Sequence, residues 1–178
     1  TAVSPRFGVS WRPMEGLQLF GNVARAFRAP SLTELYTDGV HFSTRGFPTR
    51  PGGPVFTGVN SFVPNPDLEP ETSTQFELGA RLDRRDVAQA GDRLTLAVNG
   101  YYAKVEDFID SVVTFIDFST FDPISNTVGG TTASRNVDAA LWGFEAEARY
   151  DAGLWYAGLG GAIPRGEADD GGPLGSIP

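Results

Sequence analysis

One imidazole, His41, is the only side chain here that offers a neutral nitrogen lone pair to a metal. The chain has no cysteine, so thiol chemistry, disulfides and cysteine-bound metals are excluded. A hydroxyl nucleophile with a base would have to centre on His41, in Gly39-Val40-His41-Phe42, and no serine and acid stand around it in a triad-like pattern. No residue is therefore assigned a catalytic role. Two acidic clusters, Asp107 with Asp110 and Asp169-Asp170, have the oxygen ligands a divalent cation takes, but solvated loop acids are the ordinary reading. Gly158, Gly160 and Gly161 lack the strand-to-helix context of a phosphate loop and read as small residues on a wall. A lone loop histidine is, by default, a solvated polar residue.

The elements that must carry these residues are strands. Helical periodicity is poor, while period-2 alternation recurs in segments of about ten residues. From Thr72 to Leu82, Thr72, Thr74, Phe76, Leu78, Ala80 and Leu82 share one face, opposite Ser73, Gln75, Glu77, Gly79 and Arg81. From Ala140 to Tyr150, Trp142, Phe144, Ala146, Ala148 and Tyr150 oppose Gly143, Glu145, Glu147 and Arg149. Leu94–Tyr102 and the opening segment around Phe7, Val9 and Trp11 alternate in the same way, and Leu17–Phe27 and Leu154–Ile163 do so less regularly. That makes about six strands. Short turns at 12–16 and 151–153, with a modest link over 84–92, alternate with long connections at 29–71 and 107–138 and a tail from Gly166. Short turns at one end and long loops at the other are the pattern of an outer-membrane barrel, with apolar faces to lipid and charged faces inward. A one-residue slip in 140–150 would turn Glu145, Glu147 and Arg149 to lipid, at roughly 2–4 kcal/mol for the arginine alone. Trp11, Tyr102, Tyr150 and Trp155 lie near strand ends, where interfacial aromatic girdles form.

Composition agrees. The 178 residues include 22 Gly and 13 Pro, 40% are hydrophobic, and no apolar run approaches the roughly 18 residues of a membrane helix. A net charge of −8 and the lack of a basic stripe argue against nucleic acid as a partner. The expectation is all-β: a transmembrane antiparallel β-barrel, partial, about six strands of a roughly 22-stranded whole. Residues 1–178 read as part of a C-terminal barrel domain, with a plug domain and terminal strands lying elsewhere in a longer chain. Six strands alone would leave two long unpaired edges.

Two short segments flank the first long connection: Phe27-Arg28-Ala29-Pro30, continuing to Tyr36, and Asn65-Pro66-Asp67-Leu68. This pairing resembles TonB-dependent receptors, and in particular their haem and haemoglobin branch, which carries an FRAP box and an NPNL box around an external loop. Here Asp67 stands where that family usually has Asn. His41 lies between the boxes, where haem receptors of this family use a loop histidine as an axial iron ligand. Neutral imidazole suits haem iron. Tyr36 is a weaker alternative ligand, and Arg45 and Arg50 match the geometry of haem propionates. The family's second histidine belongs to the plug.

The resemblance implies a transporter, not an enzyme. It would take up haem, free or from haemoglobin, across the Gram-negative outer membrane, driven by the TonB complex, with haem as cargo and no permanent cofactor. Its partners would be the TonB energy-coupling complex, haem or a haemoprotein (or a ferric chelate), and outer-membrane lipid. A ferric-siderophore or cobalamin receptor is the alternative in the same superfamily, and there His41 would bind no metal. A soluble β-rich module recognising carbohydrate or protein, or an outer-membrane barrel enzyme, are alternatives of other classes.

Overall fold

In the computed structural model, which describes residues 3–48, 51–53 and 55–175, eight strands form one continuous sheet and one short helix lies between the second and third of them. The chain runs β1 (Arg6–Met14), β2 (Leu17–Arg28), α1 (Leu32–Tyr36), β3 (Gly39–Pro48), β4 (Val55–Val63), β5 (Glu71–Arg85), β6 (Arg93–Asp122), β7 (Thr127–Asp151) and β8 (Tyr156–Ala168). The spatial order is β1-β2-β5-β6-β7-β4-β3, and β8 also pairs with β7. Pairing is antiparallel throughout, except that β4 runs parallel to β7. The all-β expectation holds, and the sheet is an open segment of barrel wall.

Register brings the alternating residues of six strands into rows. One face carries Phe7, Val23, Phe76, Tyr102 and Trp142 in a row, then Val9, Gly21, Leu78, Gly100, Phe144 and Ile163 in the next. Trp11, Leu19, Ala80, Val98 and Ala146 follow, and then Leu17, Leu82, Leu96, Ala148 and Leu159. Rows that carry charge or a polar aromatic bound this band. Arg25, Thr74, Lys104, Ala140 and Glu167 align above it, and Arg84, Leu94 and Tyr150 below. The bounding rows are ten residues apart on β5, about 33 Å at the usual strand rise. A strand tilt of about 40° reduces that to about 25 Å, the height of the lipid-facing band of such barrels. Arg165 alone interrupts the uppermost row, beside Trp142, with a side chain long enough to reach the rim.

The opposite face is polar. Asn22 donates to Glu77, Gln18 donates to Ser10 across 2.9 Å, and Arg93 forks onto Asp83. Phe20 lies across Gly79, whose missing side chain leaves room for the ring: a Cβ there would sit 2.2 Å from it. Leu78 stays 73% exposed and Leu159 80%, so the apolar face finds no cover within the chain. Lipid is the cover that such a band calls for.

Two expectations need correction. The connection 29–71 is not bare loop: it contains α1 and the β3–β4 hairpin. Ser31 and Glu34 cap α1 reciprocally, a pattern of Ser and Glu three residues apart that is visible in the sequence. The connection 107–138 is not a loop either. β6 and β7 run on through it as a hairpin, 30 and 25 residues long, turning at 123–126. This outer hairpin breaks alternation three times, with register shifts between Val105 and Phe108, Thr114 and Asp117, and Asp117 and Asp122. Without lipid on one face, nothing there enforces a strict period of two. Where the wall meets this extension, Val105, Phe108 and Ala139 bury together, with Val137, Leu141 and Leu174 packed on them.

Candidate functional site

The extension beyond the lipid band is tied down at its base by the two boxes. Arg28 ends β2 and forks onto Glu71 at the start of β5, with Nε and Nη2 each 2.7 Å from a carboxylate oxygen. Its remaining Nη1 donates to both oxygens of Glu34 on α1 at 3.0 Å. Glu71 also accepts the Ile109 amide at 2.7 Å. One guanidinium thus joins β2, α1 and β5, a planar, bidentate task suited to arginine. Burial alone would raise the Glu34 pKa. Hydrogen bonds from the Ser31 amide and hydroxyl and from Arg28 outweigh it and hold this carboxyl below its ordinary range.

The second box bonds to β7. Asn65 donates to the Ser134 carbonyl at 3.0 Å, and its own side-chain oxygen accepts the Asp67 amide. Leu68 is buried, and the Asn136 side chain both accepts from the Glu69 amide and donates to the Glu69 carbonyl. Along that edge β4 pairs with β7 up to Ala133, and β8 takes over from Ala139. The box fills the gap between the two. Phe27, Arg28, Ala29 and Pro30, like Asn65, Pro66, Asp67 and Leu68, thus belong to the framework under the site.

His41 stands on β3 at a bulge. Val40 pairs with Ser61 and Phe42 with Asn60, which leaves His41 as the extra, unpaired residue. Such a bulge re-aims a side chain out of the regular alternation. The exposed imidazole packs against Phe62, ring centroids 4.3 Å apart, and edge-on to Phe42 at 5.0 Å. Its Nδ1 lies 3.1 Å from the Thr132 hydroxyl of β7. Thr132 in turn donates to Asn60 Oδ1 at 2.6 Å, and Asn60 Nδ2 donates to the Thr114 carbonyl at 3.1 Å. Asn60 and Thr132 are both buried. A hollow of about 420 Å3 opens beside them, lined by Thr33, Glu34, Phe62, Ile109 and Thr132 among others. Sequence reasoning missed Asn60 and Thr132. Thr132 lies 91 residues from His41, and only the parallel pairing of β4 with β7 brings the three together.

The other candidates are scattered. Tyr36 closes α1 and is 60% exposed. Arg45 is exposed on β3, where it pairs with Thr57. Arg50 lies outside the described residues. Asp110 is buried and spent on the Gly175 amide at 2.7 Å, with Arg135 at 3.9 Å, and among the described residues no acid or histidine cluster could hold a metal ion. On the polar face of the wall, Arg81, Asn99, Glu145 and Glu147 line a hollow of about 660 Å3.

This geometry is an open, lipid-banded wall with a long, anchored extension that presents one histidine, and it places the chain in a known class. Residues 1–178 match the family of TonB dependent receptor-like β-barrels throughout, and the chain belongs to that family. It is 37% identical over 153 residues to the hemin receptor of Yersinia pestis, covering 85% of this chain and 20% of that protein. Similarity to the hemin receptor of Yersinia enterocolitica is 36% over 171 residues, covering 92% and 23%. The heme/hemopexin utilization protein C of Haemophilus influenzae strain 86-028NP is 32% identical over 151 residues, covering 83% and 20%. The chain therefore spans about a fifth of the length of these relatives. Among solved structures, a double mutant of the Serratia marcescens hemophore receptor HasR, in complex with its hemophore HasA and heme, superposes with a TM-score of 0.66 at 26% identity. That match covers 92% of this chain and 22% of that one. The siderophore receptor PirA from Pseudomonas aeruginosa shares the fold, with a TM-score of 0.57 at 19% identity, covering 93% and 28%.

Proposed function

We propose that this chain is part of an outer-membrane receptor that imports haem, free or taken from a haemoprotein, with His41 as an axial ligand to the iron. The observation that carries the reading is the chain's single histidine, exposed at a bulge in the anchored extension with one ring nitrogen left over. Hemin receptors and a hemophore receptor among the similar proteins support haem as the cargo. Imidazole nitrogen is a standard axial ligand to haem iron. Tyr36 and Arg45 are weaker contributors, and Arg50 is a further candidate from the sequence alone. The protein works by transport and not by catalysis. The extension captures the cargo, and a plug domain, moved by the TonB complex, passes it through the barrel. The lipid band sets the wall in the outer membrane.

The test is a haemin absorbance titration of the full-length receptor in detergent, comparing wild type with His41→Ala. A saturable Soret band that shifts or weakens in the variant is the expected result. No saturable band in the wild type would overturn the reading in favour of a ferric-siderophore or cobalamin receptor.

A further inference from the structure

We propose that Thr132 and Asn60 are positioning residues that fix His41 in the tautomer offering Nε2 to haem iron. The inference rests on the reading of His41 as an iron ligand and adds to it which nitrogen binds and why.

The argument is a count of protons. The Thr114 carbonyl can only accept, so the Asn60 amide must turn its Nδ2 toward it, at 3.1 Å. That orientation leaves Oδ1 facing Thr132 at 2.6 Å, and Oδ1 can only accept. The single hydroxyl proton of Thr132 is therefore committed to Asn60. What Thr132 has left for His41 is a lone pair, so His41 Nδ1, at 3.1 Å, must carry the proton and donate. A neutral imidazole with its proton on Nδ1 has its free lone pair on Nε2. Nε2 makes no hydrogen bond among the described residues.

Each link is held from a different strand: His41 from β3, Asn60 from β4, Thr114 from β6 and Thr132 from β7. Burial of Asn60 and Thr132 keeps water from offering either of them another partner. The bulge sets the direction of the ring, Phe62 packs against it at 4.3 Å, and the hydroxyl fixes its proton. A partner of this kind on the far nitrogen of a metal-binding histidine orients the ring, and its loss weakens metal affinity by about 10–100-fold.

The experiment is a haemin titration of the full-length receptor in detergent, followed by electron paramagnetic resonance of the ferric complex. Four variants are compared with wild type: His41→Ala, Thr132→Val, Thr132→Ser and Asn60→Ala. Heat-modifiable migration on gels checks that each barrel is folded. His41→Ala loses the part of the imidazole signature that His41 supplies, leaving only what the plug histidine contributes. Thr132→Val, which keeps shape and removes the hydroxyl, weakens affinity by about 10–100-fold and broadens the low-spin signal as the ring loses its fixed orientation. Thr132→Ser restores both. Asn60→Ala frees the Thr132 hydroxyl to donate to Nδ1, which favours the tautomer protonated on Nε2 and so weakens affinity by a second route. Wild-type affinity and spectrum in folded Thr132→Val and Asn60→Ala, with the His41 part of the signature lost in His41→Ala, would overturn the positioning role and leave the ligand assignment standing. No change in His41→Ala would overturn both.

Discussion

Arg28 carries more of the extension's geometry than any residue that could touch a ligand. Its fork holds Glu71 and its third nitrogen holds Glu34, so three elements meet on one cation. Lysine keeps the charge but has no fork to divide between two carboxylates. Arg28→Lys is expected to loosen the base of the extension by about 1 kcal/mol, because the guanidinium is partly exposed and solvent screens it. The check is hydrogen exchange over 31–36 and 71–73 in the full-length receptor, which should speed up, with the difference shrinking as salt is added. The boxes were legible as residue patterns from the sequence, but their bonds were not. Glu71 lies 43 residues beyond Arg28, and no local pattern links them. The same limit hid Asn60 and Thr132 behind His41.

At the scale of elements, the turn between β5 and β6 is pinned by one buried carboxylate. Asp92 accepts the amides of Val87, Ala88 and Gln89 at 2.7–2.9 Å and the Tyr150 hydroxyl at 2.6 Å. The Tyr150 hydrogen bond, with burial opposing and the three amides assisting, holds its pKa down to about 2. An unfolded aspartate titrates near about 3.9. Because the folded value is the lower one, the stabilisation is fully present above about pH 4 and is lost as pH falls through about 2. Asp92→Asn should therefore lower the denaturation midpoint of the refolded receptor at pH 6, and the gap to wild type should close toward pH 2. A gap that did not change with pH would count against the carboxylate as the source. The strands of the wall were readable because lipid on one face enforces alternation. The outer halves of β6 and β7 read as loop in the sequence because three register breaks scramble their pattern, although Asp122-Pro123-Ile124-Ser125-Asn126 is a turn-forming run.

For the whole molecule, the band of apolar rows is the property that makes it a wall and not a soluble sheet. Leu78 sits in the second row, between Gly21 and Gly100, and points out of the chain. Leu78→Arg should cost about 2–4 kcal/mol in a barrel refolded into lipid vesicles. Gln18→Lys, on the polar face, should stay within about 0.5 kcal/mol of wild type. Equal costs at the two positions, measured by urea titration, would refute the assignment of faces. The division of faces followed from alternation, and the fold class from alternation together with the spacing of short and long connections, whereas the length of the extension did not.

The seam along β7 has a consequence for chain length. Between Ala133, where β4 ends its pairing, and Ala139, where β8 begins, the edge is occupied by the Asn65 side chain on the Ser134 carbonyl, by the Glu69 backbone on the Asn136 side chain, and by the Asp169 amide on the Asp138 carbonyl. Asn65 through Glu69 therefore act as a spacer gauge, setting how far the parallel strand stands from the antiparallel one. A residue added to this run would throw β4 out of step with β5 even if every box residue were kept. The foot of the extension thus has a fixed length.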